Sequence, residues 1–344
     1  MRAPRLRAAA VVLVAAAAPA AHAQRLFRTD SALTVTVTTD LGPLLKQRDS
    51  TELVKHAAVF AYAGSDGKPV SIPVKVRARG HFRRQARNCD FPPLWLDVKS
   101  SDAKGTVLSG MKKLKIATTC RPKSAEYEQY ILQEYALYRM YQALTDTSLR
   151  TRLLRITYRD TLGKTAPITT WGFFIEDMDD AANRLQRKQL SAPGARFDDL
   201  EPESLSLLSV WEFFIGNTDW SISGLHNVAL LQDSTGTVVP MAYDFDWTGA
   251  VNPSYAFPDR KLAIRTVTER LYRGNCLTPA QFTSVLARFR ARHAAMDAVF
   301  GELPQLSADR AKQMRKFLDD FWKRTDDPRG LQREFAGDCQ KNGN

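Results

Sequence analysis

Cysteine is scarce in this 344-residue chain, and so is histidine. The four cysteines, Cys89, Cys120, Cys276 and Cys339, form no C-x-x-C pair and no spacing typical of a metal site. The five histidines, His293 among them, show no ligand spacing either. Past the first two dozen residues no run is long and apolar enough to span a bilayer. No internal repeat or low-complexity tract appears outside that N-terminal run. A compact Lys/Arg run with interleaved aromatics is missing, which sets nucleic acid aside as a partner. A glycine-rich phosphate loop is missing too: Gly64-Ser65-Asp66-Gly67 reads as an ordinary hairpin turn.

What is present begins with an export signal. Arg2, Arg5 and Arg7 form a basic start, Ala8–Ala18 an apolar run, and Ala21-His22-Ala23 a cleavage pattern. Residues 1–23 are therefore expected to be a signal peptide. The chain is expected to be exported to the periplasm or outside a bacterial cell, with no transmembrane segment. The whole chain carries a formal charge of +12. Removing the three arginines from its 49 Lys and Arg leaves 46 against 37 acids, a formal +9, which suits anionic partners. In an oxidising compartment the four cysteines are expected as disulfides, for which three pairings exist.

The most informative stretch runs from Trp211 to Gly249. An apolar helix end breaks at Gly216-Asn217, and Asp219 stands in the following loop. After Asn227 come two short apolar runs, 228–231 and 238–242, joined by the turn Asp233-Ser234-Thr235-Gly236. Asp244 and Asp246 follow, set among Tyr243, Phe245 and Trp247. Antiparallel pairing would return Asp244 close to Asn227. An Asp in a loop, an Asn further on and an acid after a hairpin form a phosphoryl-transfer pattern. Asp219 can accept or orient the proton of an attacking hydroxyl, and Asn227 and Asp244 are hard oxygen ligands for magnesium. Each residue alone also reads as a surface turn or helix cap.

Over these residues IGNTDWS…HN…YDFDWTG resembles the CotH-type spore-coat kinases and, more distantly, the HipA-like kinases. The resemblance is strongest over 211–249 and extends over about 75–275. Asn227 lies eight residues after Asp219, where those families place it five after, and His226 offers an alternative polar contact. The resemblance implies an α+β, two-lobed protein-kinase-like fold, with a β-rich N-lobe over 24–178, a mainly helical C-lobe over 179–335 and a tail over 336–344. It implies an ATP- and Mg- (or Mn-) dependent kinase acting on a hydroxyl of an envelope or secreted protein. The alternatives are an inactive binding module of the envelope and a nucleotidyl transferase. Asp246 is then a further metal ligand. With each pair inside one lobe, Cys89–Cys120 and Cys276–Cys339 are the favoured disulfides.

The remaining assignments follow the chain. Alternation predicts strands over 33–38, 57–62, 70–79, 91–99, 112–118, 153–158 and 170–175. The segment RARGHFRRQARNC carries five arginines and reads either as a solvated basic edge or as a phosphate-facing loop. Lys115, with Lys113 second and Lys99 third, is the expected phosphate lysine. Its expected partner is Glu134, which lies in the apolar stripe of a helix beginning after Ser124. By position, Phe174 to Asp177 would be the adenine-binding hinge, with Phe174 and Glu176 as nucleotide contacts. Residues 179–205 read as an irregular connection, 205–215 as an apolar helix, and 279–300 and 307–325 as amphipathic helices.

Overall fold

Alternating apolar residues become seven strands that close on themselves. The computed structural model describes residues 25–327, 329–330, 334–335 and 339–341. The expected signal peptide, 1–23, lies outside them, as do 336–338 and 342–344 of the expected tail. In chain order the elements are β1 (Leu33–Thr39), α1 (Leu41–Lys46), β2 (His56–Ala63), β3 (Pro69–Ala78), β4 (Leu94–Val98), α2 (Ser100–Ala103), β5 (Lys113–Thr118), α3 (Ala125–Leu144), β6 (Thr151–Asp160) and β7 (Ile168–Ile175). The strands form a closed barrel in the order β1-β2-β3-β4-β5-β7-β6. Neighbours are antiparallel except β1 and β6, which pair in parallel from Leu33↔Leu154 to Thr39↔Asp160 and seal the sheet. Val37, Phe60, Ile72, Val76, Leu96, Ile116, Ile156 and Phe174 fill the interior at alternate positions along each strand.

The second half contains α4 (Met178–Arg184), β8 (Lys188–Leu190), α5 (Pro202–Ile215), β9 (Val228–Gln232), β10 (Val238–Ala242), α6 (Pro279–Glu302) and α7 (Ala308–Thr325). β8, β9 and β10 make a separate antiparallel sheet. Its core joins α3, α5, α6 and α7, with Trp211 stacked near Tyr141 at 4.8 Å and Phe245 at 5.7 Å. Thr278 and Gln281 cap α6 reciprocally, and Ser307 caps α7.

This architecture overturns the expected two-lobed kinase-like fold. The β1–β6 pairing turns the strand-rich half into a closed mixed barrel, and the other half builds its own sheet beside the helices. The supposed irregular connection also contains α4 and β8. The disulfides do form as favoured, Cys89–Cys120 and Cys276–Cys339. Among the described residues no helix is long and apolar enough to cross a membrane.

Candidate functional site

The site is built around the end of α5. Glu201 caps the helix start by accepting from the Glu203 and Ser204 amides, and Pro202 opens the first turn. Gly216 ends it at φ +68°. A Cβ there would lie 2.5 Å from Phe317, so both conformation and space demand glycine. Asn217 then ties helix to loop. Its Nδ2 donates to Glu212 Oε2 at 2.9 Å, and its Oδ1 accepts the Asp219 amide at 2.9 Å. Glu212 is fully buried, and burial pushes its carboxyl up to about 8.

Asp219 projects from this fixed backbone. Its carboxylate meets His226 Nε2 at 3.0 Å and accepts from Asn227 Nδ2 at 3.2 Å. The same Nδ2 donates to the Asp219 carbonyl at 2.7 Å. The carboxylate is still 43% exposed, oriented yet open to a ligand. Its hydrogen bond raises the His226 pKa, with burial opposing. Ser221 and His226 exchange backbone hydrogen bonds, closing the loop, and Asn227 sits at φ +54°. Arg273 holds the loop from behind through the Thr218 and Trp220 carbonyls.

The hairpin returns as expected. Val228 pairs with Ala242, and the Tyr243 amide donates to the Asn227 carbonyl at 3.0 Å. Asp244 follows at φ +64°, its amide donating to the Tyr138 hydroxyl at 2.8 Å. Asp219, Asn227 and Asp244 are thus gathered at one end of the β9–β10 sheet. Facing Tyr243 is Lys115 of β5, its Nζ 5.2 Å from the Tyr243 ring and 5.5 Å from Trp95. Burial first, and the Arg79 guanidinium second, push Lys115 down to about 8.

The expected Lys115–Glu134 pair gives way to a different cation. Arg83, only 8% exposed, reaches Glu134 with Nη1 at 3.4 Å, Asp246 with Nε at 3.2 Å and Asp244 with Nη2 at 3.7 Å. Burial raises the pKa of both Glu134 and Asp246, against the pull of Arg83. Arg83 stands on the loop after β3. The Cys89–Cys120 bridge, Arg84 to the Ser50 carbonyl, Asp49 to the Ala86 amide and Phe82 against Trp247 hold that loop down. Asp246 Oδ2 also accepts from the Tyr255 hydroxyl at 3.3 Å, so Arg83 and Tyr255 share one of its two oxygens.

Phe174 and Glu176 flank Ile175, the cross-strand partner of Lys115, but their side chains turn elsewhere. Phe174 is buried in the barrel against Phe60, and β7 is hydrogen-bonded to β5 on one side and β6 on the other. No strand edge is left there to read an adenine. Glu176 is buried against Arg184 at 2.9 Å, its amide bonded to the Arg150 carbonyl. The Phe174 and Glu176 side chains are therefore committed to the barrel interior and to Arg184 rather than turned to a ligand.

No family model, no curated protein and no solved structure matches this chain.

Among the described residues no group of three or more His, Cys, Asp and Glu converges as a metal cage. Magnesium needs less than that: one or two carboxylates, with phosphate and water oxygens completing its shell. The 37% exposed Asp244 carboxylate fits this demand, and the hairpin pairing brings the Asn227 backbone next to Tyr243, one residue before it.

Sequence reasoning named the arginine-rich segment but gave Arg83 and Arg79 no role of their own within it, and it missed the Glu212–Asn217 pair. For Arg83 the signal was available in principle. Two acids in apolar segments, Glu134 and Asp246, require a cation, and a five-arginine loop anchored by a cysteine can supply one.

Proposed function

We propose that the chain is an exported phosphotransferase, moving the γ-phosphoryl group of ATP to a hydroxyl of an envelope or secreted protein. The observation that carries this reading is Asp219, held by Asn227 and His226 yet open to a ligand, beside Asp244 and across from Lys115. Asp219 accepts the proton of the attacking hydroxyl. The Asn227 amide and His226 fix which of its oxygens faces that proton. Lys115 and Arg79 bind the phosphates. Asp244 and Asn227 would hold magnesium, which when bound neutralises phosphate charge. Two disulfides support an oxidising compartment, in keeping with the N-terminal signal.

Asp219→Ala is expected to leave ATP binding nearly intact and to lower transfer roughly 10²–10⁴-fold, the size of a general-base contribution. Asp244→Ala is expected to abolish magnesium-dependent ATP binding. Calorimetry with and without metal, together with labelled-phosphate transfer, measures both. Absence of ATP binding with any divalent metal overturns the reading. One observation favours a second reading, a catalytically silent envelope binding module: Arg83 already supplies positive charge to Glu134, Asp244 and Asp246. That reading expects no transfer by the unmodified protein.

A further inference from the structure

The outer face of β3, β4 and β5 concentrates positive charge. Their inward residues, Val76, Leu96 and Leu114 among them, fill the barrel. The alternate positions point outward, and the register sets them in rows across the sheet. Arg77 lies opposite Trp95 and Trp95 opposite Lys115; Lys75 lies opposite Asp97 and Asp97 opposite Lys113. Lys113 Nζ stands 3.8 Å from the Trp95 ring centroid, with Arg77, Arg79 and Lys115 at 5.5–5.7 Å. The one acid in these rows, Asp97, is held by Lys55 at 3.2 Å. Among the described residues no carboxylate forms a salt bridge with Lys75, Arg77 or Lys113.

Arg79 and Lys115 already feel Asp244, so it is the Lys75, Arg77 and Lys113 part of the face that calls for a counter-charge. Protection of a sheet edge does not explain it, because β3 is flanked by β2 and β4 in a closed barrel. Nor is Trp95 a free platform for a nucleobase, since Lys113 already covers the indole. The spacing fits a carboxylate-bearing chain. Lys75, Arg77 and Arg79 recur at every second residue, about 6.6–6.8 Å apart, the repeat of same-face side chains in an extended peptide. The Arg77–Trp95–Lys115 row ends beside Tyr243, and the Lys75–Asp97–Lys113 row lies next to it, two residues along each strand.

Resting on the phosphotransferase reading for its chemistry, we infer that this face docks the acceptor, an extended polypeptide segment with Asp or Glu at alternate positions. The test is fluorescence anisotropy of labelled twelve-residue probes on the exported chain, without nucleotide. The probes are an alternating Glu-Ser peptide, a Lys-Ser peptide and a single-stranded oligonucleotide. The Glu-Ser peptide is expected to bind, to weaken with salt and to lose at least tenfold in R77E/K113E. R77Q/K113Q, with a melting temperature equal to the parent's, is expected to show a smaller loss in the same direction. Equal binding of the Lys-Ser peptide, tighter binding of the oligonucleotide, or an unchanged affinity in both variants overturns the docking surface. Loss of ATP binding by the unmodified protein, with peptide binding intact, overturns the phosphotransferase reading and leaves the docking surface standing.

Discussion

Arg83→Ala removes a cation shared by three acids, and its cost can be worked from the geometry. Glu134 and Asp246 are 1% and 10% exposed, so their attraction to Arg83 at 3.4 and 3.2 Å is weakly screened. Asp244 is 37% exposed and 3.7 Å away, and solvent discounts its share. Truncating one side of a buried, hydrogen-bonded ion pair costs about 3–5 kcal/mol, because the remaining charge stays buried. For a chain of this size that lowers the melting temperature on the order of 10 °C. The stranded acids can escape by binding protons, at about 1.4 kcal/mol per unit of pKa. Their pKa values are already raised by burial, and losing Arg83 raises them further. The folded variant then holds protons that the unfolded chain releases, so its stability falls as pH rises. The deficit relative to the parent should therefore be small near pH 5, grow above about 6 as Asp246 ionises in the parent, and be full only near pH 9, past the Glu134 value of about 8. Urea unfolding at pH 5 and pH 9 reads it, and R83A/E134Q/D246N should recover most of the loss. A deficit below about 1 kcal/mol, or one independent of pH, would refute the argument that Arg83 neutralises this cluster.

The other expected outcomes concern single groups. Glu212→Gln keeps the shape of a buried side chain whose carboxyl burial pushes up to about 8. A folded pKa above the unfolded one gives stability that is present below about 4.5 and lost as pH rises through about 8. The variant should match the parent at pH 5 and melt higher at pH 9; parallel melting curves against pH would sink this. Lys115 is charged only below about 8, so ATP binding by the parent should weaken between pH 7 and 9 while Lys115→Met, weaker throughout, shows a flat profile. Breaking the Cys89–Cys120 bridge with serines should cost about 2–5 kcal/mol and loosen the Arg83 loop, read as faster amide exchange over 80–89. Alkylation of the native chain should label no cysteine.

Much of this was legible because it is local. The 228–242 hairpin follows from two apolar runs around a turn whose Asp233 caps its own loop through Thr235 and Thr237. α3 starts after Ser124, where the sequence starts it. The closure of the barrel was not legible. The pattern in 33–38 and 153–158 identifies two strands but carries no information about the parallel partner more than a hundred residues away. β8 escaped because Lys-Gln-Leu is short and mostly polar. Arg83 escaped for another reason: its neighbour Arg84 has the same chemistry, and only the fold decides which is buried.

The loop from Asp219 to Asn227 shows how a long spacing still ends in a side-chain contact. Eight residues separate Asp219 from Asn227, three more than the pattern it resembles. The extra length does not carry Asn227 away, because Ser221 and His226 pair their backbones and fold the intervening residues into a closed loop. The chain emerges from that loop beside the point where it entered. Asn227 then takes a left-handed conformation, at φ +54°, that turns its amide back onto the Asp219 carbonyl and carboxylate. Asparagine tolerates that conformation better than most side chains, and its nitrogen supplies the bond that offsets the strain. Removing the amide while keeping the size, as in Asn227→Leu, should therefore loosen both the loop and Asp219. Asn227→Gly should keep the loop and lose only the Asp219 contact. If the two substitutions affect the melting temperature equally, backbone strain is not what the asparagine is there to meet.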